Sequence, residues 1–484
     1  MKKLTDILKN TPVREVCGDT AAAIGGLVYD SRAVKPGDCF FAVPGTQSDG
    51  HDYIPIAVEK GAAAIVCERM PADAAEGVAY VLVGDSAGAM ADMAAAFYDY
   101  PSRELKLVGI TGTNGKTTTA TLLYDLVRAM GYKAGLISTV VYKIDGREVE
   151  ATHTTPDSIR LNAMMREMAD AGCAYCFMEC SSHAIVQERT RGLDFAGGIF
   201  SNITHDHLDY HKTFAEYIRA KKLFFDGLPK GAFALTNADD RNGRVMVQNT
   251  AAAVSAYSLR AMADFRCKIV EMHLDGMLLR IDGQELWVGL LGRFNAYNLL
   301  AVYGAAALLG LNRGEVLRVL SMLHAVSGRF EKIRAANGTT AIVDYAHTPD
   351  ALDNVIQTIE EIRTPGQQLI VVCGCGGDRD RTKRPEMAAI AVKYATTAVF
   401  TSDNPRHESP EAILDDMVAG LEPGARYLRI ADRAEAIRTA VMLSRPGDII
   451  LVAGKGHETY QIVGDVKHPF DDREEIKKRF ALLN

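Results

Sequence analysis

Val108-Gly109-Ile110-Thr111-Gly112-Thr113-Asn114-Gly115-Lys116-Thr117-Thr118-Thr119 decides how the rest of this chain is read. Ahead of it, Leu105 to Val108 is the apolar run of a buried strand; behind it, Ala120 to Met130 places apolar residues at helical spacing. The glycines therefore fall in a strand-to-helix turn, where main-chain N–H groups converge on phosphate oxygens at the positive end of a helix. In such a loop Gly112, Thr113, Asn114 and Gly115 cradle a triphosphate. Lys116 neutralises its β- and γ-phosphates, the Thr117 hydroxyl binds Mg2+, and Thr118 follows in the first helical turn. The strict P-loop pattern has glycine five residues before Gly115, where this chain has Ile110. Gly-Lys-Thr in this setting has few other uses, so ATP with Mg2+ is the expected ligand.

A chain of 484 residues is too long for one hydrophobic core. Hydrophobic residues at 48% and charged residues at 24% are ordinary globular composition. A net charge of −7 argues against nucleic acid or a membrane surface as main partner, while local cations can still hold anionic substrates. Met1 to Asp6 has no apolar signal core, and no apolar run is long enough to span a bilayer, so a cytoplasmic protein without membrane insertion is expected. The nine cysteines form no paired CxxC modules; Cys173 and Cys176 make one such spacing alone, and buried reduced thiols are the expected state.

The pattern predicts an α/β protein of three domains. Residues 1–95 alternate short strands with turns, as in Asp38 to Val43 and Ala63 to Cys67, and end in an alanine-rich helix from Ala87 to Tyr98. Residues 96–326 alternate strands and helices after the P-loop, with strands at Leu136 to Val141 and Tyr175 to Met178, the pattern of a mainly parallel sheet. Residues 327–484 form a second α/β unit with strands at Gln368 to Cys373, Thr397 to Thr401 and Asp448 to Val452. Each of these three runs into a glycine-rich or charged turn (374–380, 402–406 and 453–458), and three polar turns at three strand ends predict one shared site.

Glu179 follows a strand and can reach a metal held at the P-loop; a salt-bridge carboxylate is the plainer reading of it in isolation. Asn202 to His211 concentrates histidines and aspartates, a spacing that leaves zinc and magnesium both open. Arg379, Arg381, Lys383 and Arg384 follow one strand, Arg406 ends another, and Lys455 follows a third. This concentration of cations beside glycine turns suits carboxylate recognition. Arg381 and Lys383, taken singly, read better as solvated charge.

These stretches, read together, resemble the signatures of the Mur ligases. The matching runs are Gly112 to Thr117, Met178 to His183, Asp206 to His211, Gly292 to Asn298, Gly328 to Glu331, Val343 to Leu352, Gly376 to Asp380, Asp403 to Arg406, and Gly454 to Glu458, in order along the whole chain. The resemblance implies a uridine-nucleotide domain, a central ATPase and a C-terminal Rossmann-like domain for the incoming amino acid. The implied reaction is amide ligation through an acyl phosphate, in peptidoglycan precursor synthesis.

By that resemblance Tyr29, Ser31, Thr46, Gln47 and Ser48 hold the UDP part of UDP-MurNAc-L-Ala-D-Glu. His153, Thr154, Thr155, Ser182, Gln187 and Arg189 surround its muramoyl-dipeptide, although His153 stands where relatives commonly carry asparagine. Asn295 and Asn298 lie near the adenine, with Arg329, Asp344 and His347 closing on the nucleotide. Lys116, Glu179, His207 and Lys221 are the catalytic set. Thr117, Glu179, His207 and Lys221, the last as a carbamate, are the metal ligands. The form Asp403-Asn404-Pro405-Arg406 is associated with meso-diaminopimelate, whose distal carboxylate an arginine can grip, and Arg379, Gly454 and Glu458 complete that pocket. A monomer is expected. The rival readings are the same ligation with L-lysine or another diamino acid, ligation on a different acceptor, and, from another class, a P-loop phosphotransferase or regulatory NTPase.

Overall fold

The strand that opens the P-loop, Lys106–Thr111, lies inside an eleven-stranded sheet. The computed structural model describes residues 1–45, 48–204 and 208–483, and for Leu208 and Asp209 the backbone alone. Tyr175–Glu179 and Gly197–Phe200 flank the P-loop strand in parallel register. Parallel pairing continues to Ala134–Ile137 on one side, and through Phe233–Asn237 and Ala253–Ser258 to Phe265–His273 on the other. Both edges finish in antiparallel hairpins. The central strands are apolar because helices cover both faces: Val108, Ile110, Phe177 and Ile199 pack into one core, and Leu107, Met178 and Phe200 into another. Parallel strands end together, so Thr111, Glu179 and Phe200 deliver their following loops to one edge.

The run Leu136 to Val141 is not the single strand its composition predicts. The sheet strand stops at Ile137, and an antiparallel strand, Val141–Ile144, begins after a turn. Ser138 Oγ bonds the main chain of Val141 across that turn, and the Thr139 N–H donates to Glu179 Oε1 at 2.7 Å. A buried carboxylate has taken a donor that strand pairing would have used.

The N-terminal sheet has five strands in the order Val13–Cys17, Ala79–Val83, Ala64–Cys67, Cys39–Phe41 and Leu27–Val28, parallel except for the first. Helix Ser86–Phe97 starts where Asp85 accepts from the N–H groups of Ala87 and Gly88. Its alanines let it pack between this sheet and helix Ser158–Asp170. Arg191 joins Asp92 across the same boundary at 2.9 Å. Among the described residues no helix is long and apolar enough to cross a membrane, and all nine cysteines are free thiols.

The C-terminal sheet sets Ile449–Ala453, Leu369–Cys373 and Thr397–Phe400 side by side and parallel, so the three polar turns do meet at one edge. Two buried ion pairs hold that edge. Arg433 and Asp472, both fully buried, form a two-pronged pair, and the same guanidinium donates to the carbonyls of Ser402 and Ala453. Arg384 reaches Glu408, Asp416 and the Gly376 carbonyl. The sequence groups Arg384 with the carboxylate-binding cations. Its side chain is instead wholly buried and its donors go to the chain's own acids, so it builds the scaffold.

Removing one partner of a buried pair leaves the other charge uncompensated, so Asp472→Ala should cost about 3–5 kcal/mol in urea unfolding. Glu408 titrates well below its ordinary range, near a pKa of about 2, chiefly through its bonds from Arg384. Its folded value lies below the 4.5 of the free group, so its stabilisation is complete above that pH and lost as pH falls through about 2. Glu408→Gln should therefore melt earlier than the parent at neutral pH, with the gap closing across that acid window.

Candidate functional site

The helix after the P-loop is Lys116–Ala129, so the threonines form its first turn. Gly115 has φ +87°, and a Cβ there would lie 2.5 Å from Asn298 Oδ1, so the loop requires glycine at this point. The loop is braced by the neighbouring strand's end. Asn202 accepts from the Thr113 and Asn114 N–H groups through its carbonyl and Oδ1, and Ser201 Oγ donates to the Asn114 carbonyl at 2.6 Å. Lys116 Nζ folds over the loop onto the carbonyls of Gly112 and Thr113, both at 2.9 Å. Asn202 opens the histidine- and aspartate-rich run read from the sequence, whereas no motif pointed to Ser201; both follow a parallel strand beside the P-loop, which is the position where ligand-side loops collect.

Glu179 is buried and accepts from the Thr139 N–H and, at 3.2 Å, from its hydroxyl. Lys221, also buried, donates to the Gly112 carbonyl at 2.8 Å, with its ammonium over the Tyr217 ring. Thr117 accepts from Arg329 Nη2 at 3.3 Å, so a guanidinium from the C-terminal unit already reaches the P-loop. His207 lies outside the described residues.

A cavity of about 440 Å³ opens beside the loop, lined by Asn114, Gly115, Thr118, Asn298, Arg329, Asp344 and His347. Asn295 is not on its wall; it lies behind Asn298, accepting from that amide at 3.2 Å and donating to the Leu291 carbonyl. The wall also carries Phe294, Tyr297, Asp239, Arg260 and Arg293. Tyr297 Oη donates to Asp239, which also accepts from Ser258 Oγ and the Leu259 N–H. Asp239 follows strand Phe233–Asn237, so its place at a strand end was the available signal. Burial pushes the Asp344 carboxyl above its usual range while Arg329 pulls it down, and its Oδ2 accepts from the Phe330 N–H.

A second cavity, of about 810 Å³, is lined by Arg379, Asp403, Asn404, Arg406, Gly454 and Glu458 from the C-terminal turns, together with Thr154 and His183 from the central unit. Thr204, Tyr345, His347 and Asp350 line both cavities. Pro405 stays behind this wall: its carbonyl would lie 1.8 Å from a Cβ on Gly377, which is why that turn needs glycine. Lys383, expected as solvated charge, lines the cavity and donates to the His347 carbonyl at 3.0 Å, because the helix it opens points at the site. Arg381 does turn outward, onto Glu408.

Arg406 adopts φ +51°, a left-handed backbone unusual for a side-chain-bearing residue. The conformation is pinned from both sides, by Arg406 N–H to the Ile462 carbonyl and Gly464 N–H to the Arg406 carbonyl. Burial, then the neighbouring Arg379, pulls its guanidinium below the ordinary arginine range. A cation held in this way gains from an incoming anion.

The residues expected around the muramoyl-dipeptide form one chain of contacts. Thr155 Oγ1 donates to the Glu179 carbonyl, Arg189 donates to the Thr155 carbonyl and to Gln187 Oε1, and Gln187 reaches Tyr210 Oη. Thr154 accepts from Thr139, and Ser182 bonds His211. Tyr29, half exposed on the N-terminal unit, lies within the field of Arg189. His153 is exposed, its main chain gripped by Tyr142 Oη and its Nδ1 lying 3.3 Å from Thr152 Oγ1. Ser31 is buried at the start of a short 3-10 turn, and the Ser48 carbonyl accepts from the Gly45 N–H. Thr46 and Gln47 lie outside the described residues.

Three family models match in order: the Mur ligase family catalytic domain over residues 23–98, the Mur ligase middle domain over 110–306, and the Mur ligase glutamate ligase domain over 328–456. The chain is 55% identical over 481 residues to UDP-N-acetylmuramoyl-L-alanyl-D-glutamate--2,6-diaminopimelate ligase of Phocaeicola vulgatus, covering 99% of each. It is 55% identical over 482 residues to the protein of the same name in Bacteroides fragilis, again covering 99% of each. Its fold superposes on a solved structure of a ligase of that name with a TM-score of 0.71 at 31% identity, covering 100% of this chain and 99% of the other. With a P-loop, a second cavity walled against it and relatives of this closeness along its whole length, the chain belongs to the Mur ligase family, enzymes that form amide bonds using ATP.

Proposed function

We propose that the chain joins meso-diaminopimelate to the D-Glu γ-carboxylate of UDP-MurNAc-L-Ala-D-Glu. The observation that carries this reading is the wall shared by the two cavities: a nucleotide seated at the P-loop and an amino acid seated on Arg406 would meet at Thr204, Tyr345, His347 and Asp350. In this reading residues 1–95 receive the UDP part, 96–326 the ATP and 327–484 the amino acid.

The γ-carboxylate attacks the γ-phosphate, ADP leaves, and the acyl phosphate so formed is attacked at its carbonyl carbon by the amine, which displaces inorganic phosphate. Bringing a carboxylate against a triphosphate requires cations at the meeting point. Lys116 turns from the loop carbonyls to the phosphates, and Arg329, already at Thr117, adds a second positive charge. Arg189, tied to Thr155 and Gln187, is placed to hold the dipeptide's carboxylate. At the other end Arg406 and Arg379 take the distal carboxylate of diaminopimelate.

Mg2+ fits the donor set. Thr117 and Glu179 offer hard oxygens, which this ion prefers, and His207 would join them. Lys221 fits only as a carbamate, because an ammonium repels the ion. When bound, the ion supplies charge neutralisation for the phosphates.

Phosphate release measured with the muramoyl-dipeptide nucleotide, ATP and a panel of amino acids should require both the nucleotide and meso-diaminopimelate. Release without an amine would indicate a phosphotransferase or NTPase, and equal use of L-lysine would refute the amino-acid assignment. Arg406→Ala should raise KM for diaminopimelate on the order of 100-fold and leave KM for ATP unchanged. Lys221→Arg separates carbamate from ammonium: arginine keeps the charge but cannot be carbamylated, so the variant should be as inactive as Lys221→Ala.

A further inference from the structure

Beneath the amino-acid cavity lies a cation that the reaction does not touch. Lys455 is fully buried and is not part of the cavity wall. Its Nζ donates to Asn404 Oδ1 and Glu458 Oε2, both at 3.0 Å, and stands 3.7 Å from Asp403 Oδ1. These three acceptors all belong to residues on the wall above it.

The bonds fix how those side chains face the cavity. Asn404 Oδ1 accepts from Lys455 and from the Ile462 N–H at 2.9 Å, so the amide cannot flip without setting its NH₂ against an ammonium. Asn404 Nδ2 then donates to Glu458 Oε2 at 2.9 Å. With Oε2 bonded by both Lys455 and Asn404, Glu458 is left with Oε1, which accepts only a long bond from Tyr345 Oη, at 3.4 Å. Charge is also matched. Asp403 and Glu458 place two carboxylates under the ligand, and Lys455 offsets one of them.

We propose that Lys455 is a positioning residue that sets amino-acid specificity: by neutralising one of the two floor carboxylates, it lets the pocket accept a zwitterionic end rather than a bare ammonium. A distal carboxylate drawn to Arg406 would otherwise be repelled by Asp403 and Glu458. A floor with two uncompensated carboxylates favours a side chain that ends in an ammonium alone, as lysine does. The inference rests on the function proposed above, and its test distinguishes the two.

The test measures kcat/KM by phosphate release for meso-diaminopimelate and for L-lysine in the parent, Lys455→Met and Lys455→Gln. The ratio of the two values on one preparation does not depend on how much of it is folded, so partial instability leaves the readout intact. The expected result is a fall of about tenfold or more in the diaminopimelate-to-lysine ratio in both variants, with KM for ATP unchanged. An unchanged ratio overturns the proposal, as does parallel loss of both activities in both variants, which marks a merely structural lysine. A parent that uses neither amino acid refutes the proposed function instead.

Discussion

One carboxylate joins the P-loop unit of this molecule to its C-terminal unit. Asp350, in the first turn of helix Pro349–Ile362, accepts from Asn114 Nδ2 at 2.9 Å and from Thr204 Oγ1 at 3.3 Å through the same oxygen. Asn114 belongs to the P-loop, and Thr204 is tied to it by a bond from its own N–H to Thr113 Oγ1. The contact therefore makes the cavity beside the P-loop and the cavity of the C-terminal turns neighbours. Burial pushes this carboxyl above its usual range, and its two partners here are neutral donors. Hydrogen bonds to neutral donors contribute about 1 kcal/mol each, so this contact orients the two units more than it binds them together.

Around that contact, rigidity sits in the sheets and their buried ion pairs, and strain sits in the turns. Asp378 and Arg406 are both left-handed, and each lies in one of the two arginine-bearing turns. Glu408 clamps the first by accepting from the Asp378 N–H, while the strand from Tyr460 clamps the second through Ile462. Unfavourable backbone of this kind persists only where the surroundings overdetermine it. Here the surroundings are the fully buried Arg384, paired with Glu408 and the more exposed Asp416, and Arg433 with Asp472. The cations that face ligand are aimed by cations that do not.

The legible part of the sequence was what local chemistry enforces. Gly115 and Lys116 reveal the loop because a tight phosphate turn admits few residues, and the three apolar runs of the last unit reveal its strands because parallel strands are buried on both faces. Long-range partnership was not legible. Leu136 to Val141 looks like one strand because nothing nearby announces that Glu179 will capture the Thr139 N–H. Arg384 and Arg379 lie five residues apart in one basic run, and only the position of Glu408, on another turn, decides that the first is scaffold. Lys383 looked solvated because its helix's direction depends on the whole sheet. Asn295 and Asn298 share one short motif and, three residues apart, one helix face, yet the Asn295 amide is spent on the Leu291 carbonyl and on Asn298, and only Asn298 meets the cavity.

If the chain acts as proposed, the same geometry places selectivity away from the bond being made. On that reading the amine would arrive at the wall formed by Tyr345, His347 and Asp350, and any diamino acid of similar length would bring a similar amine there. Discrimination at that wall would have to act on groups the competitors share. On the proposed reading Arg406 and Glu458 would instead meet the far end, where diaminopimelate carries a carboxylate that lysine lacks. A buried guanidinium left without an anion is penalised more than a surface one, because little water is present to replace the missing partner. Recognition at the far end would thus bear on the near end: a ligand whose tail is properly paired would hold its amine in register with the wall, one with an unpaired tail would not, and the discrimination would extend from binding into the rate of the chemical step.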